Sequence, residues 1–332
     1  MDILNTMLKL NSCHGISGSE TGVAQAISEL AAPYVDEITT DVMGNLFCHK
    51  KGSGPRIMFA AHMDSIGFIV THIEEKGFLR VGKVGGITPT VVMYMPVRFA
   101  NGLKGIVVPD KSVEPAKLTI NDLVIDIGAG SREEAEKLVR IGDTAVYDAP
   151  TVEMNSFLSG PYMDNRISCV VLLKAMEQLK ESENDIWFVF TVQEELGLRG
   201  AKTATWNVDP DYGVVVDVTI PDDIVGANHD GSTRLGGGAA IKVMDNTVVC
   251  HPMAVRLLEG LAKEKEIAYQ LDVIRAGGTD AGEMHRSRYG VVTGGISIPC
   301  RYTHTPVETV AKADVESCAA LVAAFAESKL DK

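Results

Sequence analysis

The stretch "VFTVQEELGLRG", residues 189–200, contains the clearest indication of the fold. It begins as an apolar run typical of a buried strand, and it continues with two adjacent acids, Glu194 and Glu195, ahead of a glycine. Neighbouring side chains on a strand point to opposite faces, so adjacent acids share a direction only where the strand becomes a turn. In an open α/β sheet, ligands bind at the carboxyl ends of the strands. The stretch therefore predicts either a strand end that faces a binding crevice or a solvated acidic pair that opens a loop.

Strand-like and helix-like patterns alternate along much of the chain. The strand-like runs are "PRIMFAAH" (55–62), "DIWFVFTV" (185–192), "YGVVVDV" (212–218) and "YGVVTGGISIP" (289–299). Helical periodicity covers 164–180 and 312–330, and "SGSE" (17–20) is typical of a capping box with Ser17 as N-cap, opening a helix to about Ala32. This alternation predicts an α/β domain with a largely parallel sheet.

The pattern changes between His62 and Asp164. Residues 66–158 are rich in short strand-like runs and glycine turns, with one convincing helix, "SREEAEKLVR" (131–140). Such a pattern is typical of a small β-rich domain. Because α/β sequence flanks it on both sides, we expect an inserted domain over 66–158 and a discontinuous main domain over 1–65 and 159–332.

Composition excludes several classes of protein. The chain has 332 residues, of which 45% are hydrophobic, which is enough for a large core and two domains. Its formal net charge is −13, so it lacks the basic surface that binds nucleic acid or anionic membranes. The six cysteines are scattered without a CxxC pair, and no apolar run is long enough for a membrane span or signal peptide. We therefore expect a cytoplasmic protein with reduced thiols.

Polar residues follow or interrupt the apolar strands at several places. Each has an ordinary structural explanation: a core histidine, a helix N-cap, a paired buried acid or a loop residue. Buried carboxylates, however, are normally paired or bind a metal, and two imidazoles with several carboxylates would form a mixed nitrogen and oxygen site for zinc, cobalt or manganese. The residues concerned are His62, Asp64, Asp164, Glu194, Glu195, Asp217 and His304.

Taken together, the motifs resemble those of the M42 family of metallo-aminopeptidases, which includes glutamyl, deblocking and tetrahedral aminopeptidases. The resemblance runs in order over nearly the whole chain, and its motifs are "AAHMDSIGF", "MDNR", "TVQEELGLRGA", "VVVDV", "GGTDAG" and "ISIPCRYTHTPVE". It implies hydrolysis of the N-terminal peptide bond of peptides that have a free N-terminus. It also implies a zinc-peptidase-like α/β/α sandwich with a mixed, largely parallel sheet, interrupted by a small PDZ-like β-barrel domain that mediates dimerisation.

The resemblance also implies a role for each candidate residue. Two divalent metal ions per subunit, with zinc the first choice, would share Asp164 and a bridging water. His62 and Asp217 would complete the site of the first metal, and Glu195 and His304 that of the second. The catalytic residues would be Glu194, as general base on the water, and Asp64, which would fix the His62 tautomer. A homo-oligomer, commonly a dodecamer built from dimers, is the implied assembly, without nucleic-acid or membrane partners.

Other functions remain open at this point. A two-metal deacylase acting on N-acyl amino acids could use the same ligands, and a metal-binding scaffold would need no free Glu194. A glycosidase is disfavoured because its two carboxyls must flank a sugar. "GGTDAG" (277–282) favours a tight turn over substrate contact, and the glycine run 236–238 is a candidate cleft wall. Arg234 and Arg275 are possible contacts for an acidic substrate side chain, with a surface ion pair the simpler interpretation.

Overall fold

The computed structural model describes residues 1–227 and 231–331 of the chain. The helices are α1 (Ile3–Ser12), α2 (Thr21–Ala31), α3 (Arg132–Ala135), α4 (Met163–Gln178), α5 (Arg199–Val208), α6 (Pro252–Glu264), α7 (Ala281–Met284) and α8 (Lys312–Glu327). The strands up to the end of the inserted segment are β1 (Glu37–Thr40), β2 (Leu46–Lys50), β3 (Arg56–His62), β4 (Gly67–Ile73), β5 (Leu79–Val84), β6 (Pro96–Phe99), β7 (Lys104–Pro109), β8 (Leu123–Asp126), β9 (Thr144–Tyr147), β10 (Val152–Met154) and β11 (Phe157–Gly160). The later strands are β12 (Asp185–Thr191), β13 (Tyr212–Thr219), β14 (Ala239–Met244), β15 (Tyr269–Val273), β16 (Val292–Arg301) and β17 (Glu308–Ala311).

A mixed sheet of eleven strands forms the centre of the main domain. Its order is β1-β2-β12-β3-β13-β16-β17-β11-β10, with β14 and β15 branching from β16. The four central strands, β12, β3, β13 and β16, run parallel, and the flanking pairs at both ends are antiparallel. Parallel strands need covered faces, which explains why the central strands are almost uninterrupted apolar runs. The predicted fold class is confirmed.

Helices cover both faces of this sheet, and β3 demonstrates the layering. Its alternate residues Ile57, Phe59 and Ala61 face one hydrophobic cluster with α1, α2, α4 and α8. Met58 and Ala60 face a second cluster that includes residues of α5 and α7. This alternation is the two-residue period of a strand buried on both sides, and it produces three layers, α/β/α.

The inserted segment contains a closed barrel with its own core. The barrel order is β4-β5-β8-β7-β6-β9, and its interior is filled by apolar side chains such as Phe68, Val97 and Phe99. Strand β10 lies within the predicted insertion and β11 crosses its end. The two strands nevertheless pair with each other, and β11 pairs with β17 in the large sheet. We therefore propose that the inserted domain ends between Tyr147 and Val152 rather than at residue 158.

Two local sequence predictions differ from the structure. The helix expected over 131–140 ends at Ala135, because the following backbone bonds include three-residue turns, from Lys137 to Glu134 and from Leu138 to Ala135. The capping box at "SGSE" does not form: Glu20 is itself the N-cap residue of α2, and the Ser17 hydroxyl donates to Asp64 instead. In the described ranges, no helix combines the length and the apolar character needed to cross a membrane.

Candidate metal centre

The predicted site residues come together at one edge of the large sheet. His62 is the last residue of β3, and Thr191, its register partner, ends β12 directly before the turn that carries Glu194 and Glu195. Asp217 lies near the end of β13, which runs parallel to β3. Because these strands are parallel, their carboxyl ends meet at the same edge. The crevice that the opening stretch suggested is therefore present.

Asp164 lies between the two histidines. One of its oxygens, Oδ1, is 3.1 Å from Nε2 of His62, and the other, Oδ2, is 3.4 Å from Nε2 of His304. Nε2 of His304 is also 3.4 Å from Oε2 of Glu195. A carboxylate with one oxygen toward each imidazole has the arrangement expected of a group shared by two neighbouring cations.

Among the described residues, two sets of ligand atoms lie close enough together to hold an ion. In each set, the ligand atoms all lie within 4.8 Å of one another. His62, Asp164 and Glu195 form the first set, and His62, Glu194 and Asp217 form the second. Glu194 and Asp217 each approach Nε2 of His62 to 3.8 Å. The grouping thus brings the proposed base, Glu194, as near to His62 as the proposed ligand Asp217.

Negative charge is in excess in this buried cluster. Burial raises the pKa of Glu194 and Asp217 well above their usual range, and the neighbouring carboxylates add to the effect. Burial opposes a charge on His304, but Asp164 and Glu195 outweigh it and raise its pKa to about 12. Five carboxylates therefore lie within 3.8 Å of the two imidazoles, and such crowding is relieved either by protonation or by a bound cation.

The donor set fits a divalent metal ion. Its nitrogen and carboxylate ligands are those that zinc and related ions accept. Oε1 of Glu195 is buried and has no hydrogen-bond partner among the described residues, which leaves it available as a ligand atom. The cluster therefore has both the chemistry and the unsatisfied polar atom that a metal site requires.

Asp64 has a broader role than the sequence indicated. Its Oδ1 lies 3.4 Å from Nδ1 of His62, although the geometry does not make a hydrogen bond. The same carboxylate accepts the backbone N–H groups of Glu194, at 3.0 Å, and Glu195, at 3.3 Å. The segment between β12 and α5, residues 192–198, forms the glutamate turn. Asp64 therefore supports the glutamate turn at least as directly as it orients His62.

Two further buried acids lie near the centre among the described residues: Glu308, to which the sequence analysis gave no role, and Asp280, which it placed in a tight turn. Glu308 accepts the backbone N–H of Asp164 at 2.9 Å and that of His304 at 2.6 Å, and so links two predicted ligands. Asp280, from "GGTDAG", is buried and accepts the hydroxyl of Thr191. Burial raises the pKa of Asp280 to about 6. In a sequence, such a functional acid is indicated by a position directly after a strand or by its place in a recognised motif. For Glu308, the motif "THTPVE" was the only such indication.

The inserted segment contributes backbone to the same site. Gly86 follows β5 and lines the cavity. A Cβ atom at this position would lie 2.5 Å from Nδ1 of His304, so a side chain would displace the imidazole. Glycine is required here because the chain passes so close to a predicted ligand.

An open cavity of about 690 Å³ leads to the cluster. Gly277, Gly278 and Thr279 line it, so "GGTDAG" is both a turn and part of the wall. The glycine run 236–238 lies outside the lining residues, and the backbone N–H groups of Gly236 and Gly238 donate to Asp314 on α8. Within the described ranges, the lining also lacks Arg234 and Arg275, so the sequence suggestion that either contacts substrate gains no support.

Comparison with known proteins identifies similar chains. The family model for M42 glutamyl aminopeptidase matches residues 44–321. A lysyl aminopeptidase from Pyrococcus furiosus is 35% identical, over 97% of this chain and 96% of its own.

Solved structures agree with this comparison. Aminopeptidase APDkam598 from Desulfurococcus kamchatkensis superposes with a TM-score of 0.94 at 40% identity, covering 98% of this chain and 94% of that one. The TET1 peptidase of Pyrococcus horikoshii, described as assembling into a tetrahedron or a large octahedral shell, has a TM-score of 0.89 at 33% identity and covers 99% and 100%. The similarity thus extends through both the large sheet and the barrel.

Proposed function

Because the chain belongs to the M42 peptidase family, we propose that it is a metal-dependent aminopeptidase that releases the first residue of peptides. The observation that carries the proposal is Asp164, whose two oxygens each face one histidine of a buried, carboxylate-rich cluster. The lysyl aminopeptidase and the aminopeptidase APDkam598 compared above carry names that agree with the chemistry of the cluster.

Two divalent ions are proposed, with zinc the first choice and cobalt or manganese as alternatives. His62 and Asp217 would hold one ion, Glu195 and His304 would hold the other, and Asp164 would bind both. When bound, such ions act as Lewis acids toward a substrate carbonyl and lower the pKa of water. In the two sets of ligand atoms, His62 lies with Asp217 and Asp164 lies with Glu195, which supports part of this division.

Glu194 is proposed as the general base. It lies in the cavity wall beside the ligands, and its backbone is held by Asp64. Its position beside the ligands suits a group that takes a proton from water and later passes it to the leaving amine. The expectation that substrates carry a free N-terminus rests on the family to which the chain belongs.

We also propose that the chain forms a homo-oligomer through the barrel. The barrel exposes Tyr94 and Ile106, two large apolar side chains that an interface could bury. Tyr94 donates its backbone N–H to Val107, the neighbour of Ile106, so the two lie in one region of the barrel. The TET1 peptidase compared above is described as assembling into a tetrahedron or a large octahedral shell, which supports a closed homo-oligomer, and a dodecamer is the first expectation because a similar TET1 structure is described as a dodecamer.

The test uses chelator-stripped protein with zinc, cobalt or manganese added back. We expect metal-dependent release from aminoacyl-p-nitroanilides and none from their N-acetylated forms. Glu194→Gln should keep its metal and lose about 10²–10⁴-fold in kcat, as expected for removal of a general base. Glu195→Ala should lose metal.

Three results would contradict the proposal. Release of acetate from the acetylated substrates would indicate a deacylase, and metal binding without any hydrolysis would indicate a scaffold. Full activity of Glu194→Gln would remove Glu194 as the base.

A further inference from the structure

Four consecutive backbone N–H groups in the glutamate turn bind to side chains from elsewhere in the chain. Regular backbone pairing does not satisfy these groups, because the strand β12 has ended and the helix α5 has not begun. A buried N–H without a partner would be costly, so each acceptor matters to the conformation of the turn. The pairs are Val192 with Asn45 at 3.1 Å, Gln193 with Glu20 at 3.3 Å, and Glu194 and Glu195 with Asp64 at 3.0 and 3.3 Å.

Glu20 is the acceptor with the least obvious structural reason to be there. Its side chain is buried at 6% exposure, and its Oε1 also accepts the backbone N–H of Gly18 at 2.7 Å. It does not cap its own helix, since α2 begins at the next residue without a side-chain hydrogen bond from Glu20. A buried carboxylate that caps nothing locally is held instead by two loop amides, one of which belongs to the glutamate turn.

The conformation of Gln193 explains what this contact does. Gln193 has φ 53° and ψ 35°, the left-handed region that non-glycine residues seldom occupy. Such a conformation persists when surrounding contacts hold it. Gln193 lies directly before Glu194, and its left-handed backbone ends the alternation of the strand there. Glu194 and Glu195 can therefore both reach the cavity. The Glu20 contact falls on the residue where the strand alternation is broken.

The segment that carries Glu20 supports the turn in a second way. Ser17 donates its hydroxyl to Oδ2 of Asp64 at 2.6 Å, and its own backbone N–H donates to Ser65 at 3.2 Å. Asp64 in turn accepts the N–H groups of both glutamates. One short segment, residues 17–20, thus contacts the turn directly through Glu20 and indirectly through Asp64.

We infer that Glu20 is a positioning residue for the proposed hydrolysis: by accepting the Gln193 N–H, it holds the left-handed turn that directs Glu194 into the cavity. This inference rests on the proposed function for its kinetic consequence. Its structural consequence, protection of the turn amides, is independent of any activity.

The experiment compares Glu20→Ala with Glu20→Gln in the full-length, metal-loaded protein. Gln keeps a carbonyl oxygen where the carboxylate accepts, whereas Ala removes the acceptor. We expect Glu20→Ala to lower kcat about tenfold, with KM changed less than twofold, and Glu20→Gln to stay within about threefold of the original kcat. In hydrogen exchange, peptides spanning 189–200 should exchange faster in Glu20→Ala and at the original rate in Glu20→Gln.

Asp314→Ala is the matched control. Asp314 is also a buried carboxylate that accepts two backbone N–H groups, those of Gly236 and Gly238 at 2.8 Å, and none of these three residues lines the cavity. We expect it to leave kcat and exchange over 189–200 unchanged, even if it lowers the melting temperature.

The possible results separate this inference from the proposed function. Glu20→Ala with original kcat and original exchange over 189–200 would overturn the inference, and so would equal losses in the Ala and Gln variants. If the original protein hydrolyses nothing, the proposed function fails, but faster exchange in Glu20→Ala alone would still support the positioning role. Exchange that rises equally in Asp314→Ala would reduce Glu20 to a general stability role and contradict the inference.

Discussion

Asp64 and His14 exemplify how single side chains join distant segments of this protein. Asp64 receives three donors, from Ser17 and from the backbone of Glu194 and Glu195, while remaining 3.4 Å from His62. His14 lies between the two parts of the chain, with Nε2 2.8 Å from the hydroxyl of Thr144 on β9. Asp64 thus lies beside the candidate metal centre, and His14 lies where the main domain contacts the barrel.

His14 makes stability depend on pH. Burial, with smaller contributions from Arg98 and Arg166, lowers its pKa to about 4 from an ordinary 6.5. Between these values the unfolded chain binds a proton at this residue and the folded chain does not, so stability falls as the pH falls from 6.5 to 4. We expect His14→Gln to remove part of this acid sensitivity. The expected effect on the free energy of unfolding is on the order of 1–2 kcal/mol, a value that already allows for the partial exposure of the ring.

Denaturant unfolding of the original and variant proteins at pH 7.5, 5.5 and 4.5 measures this difference. His72→Gln is the control, because His72 is exposed on β4 of the barrel. Parallel pH dependence of the original protein and His14→Gln would show that His14 is not the group responsible.

At the scale of elements, the glutamate turn is closed at its base by a glycine. The Gly200 N–H donates to Val192 at 3.0 Å, and Asn45 joins the same two residues by donating to Gly200 and accepting from Val192. A Cβ atom on Gly200 would lie 2.4 Å from both the Asn45 side chain and the Val192 carbonyl oxygen. This turn can therefore close only around a residue without a side chain.

Gly200→Ala should disrupt the turn. Alanine normally favours a helix over glycine by about 1 kcal/mol, and Gly200 lies in the first turn of α5. The steric conflict outweighs that gain, so we expect a net loss of about 1–3 kcal/mol in the free energy of unfolding and about a tenfold fall in kcat. Chemical unfolding and peptidase kinetics measure the two effects.

Gly260→Ala is the control for this prediction. Gly260 lies inside α6, and a Cβ atom there would have no heavy atom within 4 Å. It should be neutral or stabilising, with kcat unchanged. A Gly200→Ala protein as stable and active as the original would contradict the proposed closure of the turn.

At the scale of the whole molecule, two units meet at one cavity. The large sheet supplies the candidate ligands, while the barrel segment supplies the Gly86 backbone against His304. A motion or an interface that moves the barrel would therefore change the wall of the cavity. This contact gives a physical reason why assembly through the barrel could affect activity.

The proposed assembly has a measurable mass. Twelve chains of 35.6 kDa form a particle of about 430 kDa, which light scattering after size exclusion distinguishes from a dimer. Ile106→Lys places a charge on the exposed apolar region of the barrel and should lower the mass.

Val42→Lys is the control, since Val42 is fully exposed in the turn between β1 and β2 of the main domain. An unchanged mass in Ile106→Lys, or an equal loss in both variants, would contradict assembly through the barrel. A monomeric original protein would contradict the homo-oligomer itself.

From the sequence, local pattern predicted an α/β domain with a largely parallel sheet and indicated the polar residues that follow its strands. Continuous apolar runs identify β3, β12, β13 and β16, because a strand buried on both faces must be apolar along its length. Parallel strands share a carboxyl edge, so the polar residues that follow them could be expected to converge. The motif resemblance then distinguished His62, Asp164 and their neighbours from ordinary loop residues.

Only the tertiary structure decided which distant segments support that edge. In the sequence, Glu20 fitted a capping box, Glu308 lay in a motif without an assigned role, and Gly86 was one glycine of the β-rich segment. Their contacts with Gln193, Asp164 and His304 join residues far apart in the chain. Local periodicity carries no information about such pairings, because they depend on how the domains and loops pack once the chain has folded.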